Sequence, residues 1–346
     1  MHCGTIRRRQ LERIEWRLCQ YTSVRLSNLD LSDDGLSRFA WLRERLRSPR
    51  DAVVTSWVPT GFEAYARMLH PVEERDGEPP IRWADVSRWS DVALDASILW
   101  HEVALPEVPP LTGPPWSGQG PREGSLSRSD ALELVSVLSA RSTGLCLFGV
   151  WEGYGGTLSV QGLLADELPR RVGETPVFEL PWRSYAMFEG PVVGATCFSV
   201  SRFQSPNLWW PIDRSWCVAS EIDLAWTYVA GSRSLIDELL SNPRIEALEV
   251  SPADSLHRQL PAWLNGCVSA ATDEVIASGS TSVELALGTA TVTLVRLSRR
   301  KSVLITRSER WGGWGGANIP ITHRGLEKMG QEVKSAVEQA VLGLCG

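Results

Sequence analysis

Leu145-Cys146-Leu147-Phe148-Gly149-Val150-Trp151 is an unbroken apolar run. Such a run suits a strand at the centre of a sheet, covered on both faces. Working outward, Leu132, Val135 and Leu138 recur at intervals of three, with Ser129 as the expected cap, and predict a helix over residues 129–141. Downstream, short segments bounded by Gly or Pro predict strands at 158–163, 176–180, 184–189 and 195–202. The chain then passes through Trp209-Trp210-Pro211 and Trp216-Cys-Val-Ala-Ser-Glu-Ile-Asp223. A helix over 233–241 follows Gly231-Ser232, buries Leu235, Ile236, Leu239 and Leu240, and ends at Asn242-Pro243. Together these elements define a central α+β domain over residues 129–267.

On the N-terminal side, residues 28–108 form a separate helical and strand region. Leu36, Phe39, Leu42 and Leu46 predict a helix from about 34 to 47, and Ala52 to Val58 reads as a buried strand ended by Pro59. Thr60-Gly61-Phe62-Glu63 starts a second helix that Pro71 must end. Trp83 to Trp89 and Ile98-Leu99-Trp100 are short helical or extended pieces. Residues 109–128, with five prolines between 109 and 121, read as a Pro/Gly-rich linker anchored by Trp116. Residues 1–27 read as an appendage or a misassigned start. Residues 268–346 read as a small unit: two strands around Gly288, a third at 302–306, and a closing helix over 323–342. The fold class is therefore α+β, a mixed or antiparallel sheet flanked by helices, with a C-terminal unit of three strands and a helix.

Composition bounds the function. The 346 residues, 43% hydrophobic and 22% charged, describe a globular chain of two or three domains and exclude wholesale disorder, collagen-like repeats and coiled coil. Lysine occurs only at 301, 328 and 334, so lysine-centred chemistry is nearly excluded. The seven cysteines contain no CxxC pair, which argues against a disulfide framework or a Cys-rich zinc site and for a reducing cytoplasm. No stretch has the length and apolarity of a membrane helix, and Arg7-Arg8-Arg9 are not followed by a signal-peptide core. A cytoplasmic protein with no membrane partner is expected. Residues 1–50 are basic, but their charges are spaced as on a solvated helix face; the centre is acidic, which disfavours phosphate-backbone binding.

The 16 tryptophans, against five Tyr and seven Phe, invert ordinary aromatic usage. Most are expected as core filler whose N–H finds a carbonyl. The segment Asn207 to Ser232 carries the densest set of candidate residues. If it is extended there, Glu221 and Asp223 share one strand face, with Asp213 and Arg214 just upstream. Paired carboxylates can hold a divalent metal or divide acid and base roles. They can equally pair with Arg214. Trp311-Gly-Gly-Trp314-Gly-Gly lacks the Lys and Ser/Thr of a phosphate loop. The five histidines, at 2, 70, 101, 257 and 323, show no metal-ligand spacing.

Two stretches, Val54 to Pro71 with Ile81-Arg-Trp-Ala-Asp-Val86, and Leu208 to Ser232, resemble a group of uncharacterised proteins from high-GC Gram-positive bacteria. The resemblance spans about residues 30–265 and implies no activity, cofactor or catalytic residue. The expected function is that of a non-enzymatic protein-interaction factor, immunity- or adaptor-like. Its candidate partner-binding residues are Trp209, Trp210, Asp213, Arg214, Trp216, Trp226, Trp311 and Trp314. The alternative is a metal-assisted hydrolase with Asp213, Glu221 and Asp223 as ligands of a divalent metal; no other cofactor is expected.

Overall fold

In chain order, the computed structural model begins with strand β1 (Ser27–Asn28), helix α1 (Asp33–Arg45), strand β2 (Ala64–Leu69), and helices α2 (Trp83–Ser90), α3 (Trp100–Ala104) and α4 (Arg128–Ser139). Strands β3 (Cys146–Trp151), β4 (Leu158–Val160), β5 (Val177–Leu180), β6 (Arg183–Gly190), β7 (Phe198–Val200), β8 (Arg202–Phe203), β9 (Leu208–Pro211), β10 (Cys217–Ala219) and β11 (Trp226–Gly231) follow. Helix α5 (Arg233–Ser241) and β12 (Ala247–Val250) precede β13 (Ser282–Leu287), β14 (Ala290–Leu297), β15 (Ser302–Glu309) and β16 (Trp314–Pro320). The structure describes residues 38–255 except 73–78, 105, 107–109, 117–119, 143, 155–157, 161–176, 181 and 201. It also describes 27–28, 33–37, 282–287, 290–297, 302–309 and 314–320; for these, and for 158–160, the description is of the backbone. Two compact units emerge: Met1–Met68 with Gly124–Asp254, and Leu69–Glu123 with Ser255–Gly346.

The first unit is built on a nine-stranded antiparallel sheet in the order β1-β6-β3-β9-β10-β11-β2-β12, with β5 also paired to β6. As its uninterrupted apolar run requires, β3 lies inside the sheet: Phe148 is opposite Phe188 of β6 and Trp209 of β9. One face carries Phe148, Phe188, Trp209, Val218 and Val229, packed with α4, α5 and the 3₁₀ turn Val192–Thr196 into one hydrophobic cluster. On the other face, Trp210 meets Phe39 and Trp41 of α1 with ring centroids 5.2 and 5.8 Å apart. Because a strand alternates its side chains, the tandem Trp209-Trp210 sends one fully buried indole into each layer. Each such burial removes enough apolar surface for about 2–3 kcal/mol.

Local chemistry sets the helix ends. Ser127 Oγ accepts the Asp130 N–H at 3.0 Å, so the cap of α4 is Ser127 rather than the expected Ser129. Ser232 Oγ likewise accepts the Leu235 N–H at 3.3 Å and starts α5 where the sequence places it. A cap of this kind contributes about 1 kcal/mol.

Four expectations are corrected in this unit. Ala64–Leu69, read as helix, is strand β2, buried at all six positions and paired with β12 in register Tyr65 to Val250. Ala52 to Val58, read as a strand, instead holds the 3₁₀ turn Val54–Ser56, just after another over Pro49–Asp51. There the Val54 and Thr55 N–H groups donate to the Asp254 and Pro252 carbonyls instead of to a ladder. The region read as one strand over 195–202 holds the 3₁₀ turn and the short strands β7 and β8, which with β4 make a separate three-stranded sheet. Finally, residues 124–127 of the expected linker are buried. β2 thus joins the sheet of the central block, so the boundary drawn at 109–128 does not separate two cores.

In the second unit, indoles pack in a chain: Trp83 on Trp100 at 5.2 Å, Trp100 on Trp116 at 5.5 Å, and Trp116 on Trp89 at 5.3 Å, all edge-to-face. Trp116 thus has the anchoring role expected of it. Trp83 Nε1 donates to the His70 carbonyl at 2.8 Å, and His70 Nδ1 donates to the Arg122 carbonyl at 2.6 Å. Burial pushes the His70 imidazole down to about 4, so it is neutral and acts as a donor. β13–β16 form a four-stranded antiparallel meander, one strand more than expected, because Trp314–Pro320 pairs with β15. The helix expected over 323–342 lies outside the described residues. Among the described residues, no helix is long and apolar enough to cross a membrane.

Candidate functional site

The turn between β10 and β11, residues 220–225, is held by two sets of bonds. The first is a buried polar knot below it. Gly124 adopts φ +73°, and a Cβ there would lie 2.9 Å from the Ile222 Cα, so only glycine lets this strand of chain pass beneath the turn. The Gly124 carbonyl accepts from Tyr154 Oη at 2.9 Å and from Gln204 Nε2 and Asn207 Nδ2 at 3.1 Å. Asn207 also reaches the Tyr154 hydroxyl and the Ser220 carbonyl with Nδ2, and its Oδ1 accepts the Trp151 N–H at 2.9 Å. Its amide is saturated, as a buried amide must be.

The second set is ionic. Arg183, the first residue of β6, donates to Glu221 Oε1 from Nε at 3.1 Å and from Nη2 at 2.7 Å, and to Asp223 Oδ2 at 2.8 Å. The Arg183 guanidinium lies 5.7 Å from the Trp151 ring. Glu221 is 7% exposed, and burial raises its carboxyl above the usual carboxylate range, against the hydrogen bond and charge of Arg183. Beside this cluster lies a shallow, solvent-open depression with room for about one water, lined by Trp57, Leu180, Trp182, Tyr185, Leu208 and Glu221. The Tyr185 hydroxyl is also pushed well up, first by burial and then by the Glu221 charge.

The candidates from the sequence are dispersed. Trp209 and Trp210 are fully buried, and Trp216 and Trp226 are 1% and 3% exposed, so these four indoles belong to the core and present no surface to a partner. Trp216 Nε1 donates to Ser142 Oγ, whereas Trp41, Trp209 and Trp210 have no indole N–H partner among the described residues, contrary to the expected carbonyl contacts. Asp213 and Arg214 sit in the turn before β10, at the opposite end of that strand from Glu221 and Asp223. Asp213 Oδ1 accepts the Ser215 N–H at 2.9 Å, and the Arg214 guanidinium stacks 5.4 Å from the Trp41 ring. Glu221 and Asp223 do converge, on a turn rather than a strand face, and the cation between them is Arg183 rather than Arg214. No group of three His, Cys, Asp or Glu side chains is placed to hold a metal ion among the described residues. Trp314 begins β16, and Trp311 lies outside the described residues.

Sequence reading passed over Trp57, Trp182, Arg183 and Tyr185. The adjacent Trp182-Arg183 was the available signal, but nothing in its spacing points to an acid 38 residues away. Comparison of the chain with family models, with curated proteins and with solved structures finds no match.

Proposed function

We propose that the chain is a recognition protein that binds a protein partner through the surface around Arg183. The observation that carries this reading is a guanidinium clamped between two carboxylates and set 5.7 Å from the half-buried Trp151 ring, beside a depression at Glu221 lined by the half-buried Trp57 and Trp182. Tryptophan and arginine are the residue types that dominate interface hot spots, and an arginine held in place loses little further freedom on binding. The acidic character of residues 51–267 adds electrostatic selection among partners. Supporting rigidity comes from the Gly124–Asn207 knot, which fixes the turn that carries Glu221 and Asp223.

Affinity capture from native lysate tests the reading. The full chain retains one stoichiometric partner, and Trp182→Ala and Arg183→Ala each release it while Trp89→Ala does not. Recovery of no stoichiometric partner, or a partner indifferent to both site variants, removes the proposal.

A further inference from the structure

We draw no further inference here: the strongest candidate, the apolar face that the register of β13–β15 gathers from Val283, Leu285, Val292, Leu294, Val303 and Ile305, carries none because nothing among the described residues shows what covers it.

Discussion

At one end of β10, the turn before it places Asp213 and Arg214 in solvent; at the other, residues 220–225 bury Glu221 beneath Arg183 and rest on Asn207. Both turns carry acids, and both lie near an arginine. They differ in what reaches them from elsewhere in the chain. The first turn is closed by its own residues, through Asp213 Oδ1 and the Ser215 N–H. The second is held by the Gly124 backbone and by side chains from positions 154, 183 and 207, so its geometry is fixed by distant parts of the chain. A site is thus made less by the residue types in a turn than by how many distant elements constrain it.

Breaking the knot should have the largest effect. Asn207→Ala strips bonds from the Gly124 and Ser220 carbonyls and the Trp151 N–H at once, and should cost about 3 kcal/mol in urea unfolding, since buried groups left unpaired cost about 1–3 kcal/mol each. Gly124→Ala meets both a positive φ and a close backbone atom; about 2–3 kcal/mol should be lost in the same measurement. It should leave m unchanged, since the damage stays at the turn. Arg183→Met leaves Glu221 buried without its cation. Because Arg183 is 24% exposed and water screens part of the pair, about 2 kcal/mol is expected rather than the full cost of a buried pair.

The acid buried at the second turn also leaves a signature in pH. Burial raises the folded-state pKa of Glu221 above its unfolded value. Its proton is therefore held more tightly in the fold, and the stability this provides is present at low pH and lost as pH rises through the carboxylate range. The stability difference between Glu221→Gln and the parent chain should shift in favour of the glutamine variant as pH rises over that interval, measured by urea midpoints. The smallest effect belongs to the exposed turn. Asp213→Ala should change stability by no more than about 0.5 kcal/mol, the scale of surface substitutions; a loss above about 1 kcal/mol would collapse the distinction between the turns.

What could be read from the sequence divides along the same line. α5 is legible because its cap Ser232, its stripe Leu235-Ile236-Leu239 and its stop Asn242-Pro243 are all local. β3 is legible because burial on both faces leaves an unbroken apolar run. β2 is not: Glu63, Ala64, Ala66, Arg67, Met68 and Leu69 are good helix formers, and only pairing with β11 and β12 makes them a strand. The same holds for the depression at Glu221, whose lining joins β6 to a turn that follows β10. The tandem Trp209-Trp210 announced importance correctly, but its alternation across the sheet spends both indoles on the two cores.

The placing of β2 has a consequence for synthesis. Tyr65 leaves the ribosome 185 residues before Val250, its partner in the sheet. At about 5–20 residues per second, the segment waits on the order of 10–40 s for that edge to arrive. Until β11 and then β12 emerge, Ala-Tyr-Ala-Arg-Met-Leu lacks its sheet partners, and Arg67 is its only charge. In the finished sheet Arg67 is fully buried, 4.5 Å from the Trp226 ring. In the nascent chain the same guanidinium interrupts an apolar stretch that would otherwise seek other chains, so one residue guards the strand before folding and is packed into the core after it.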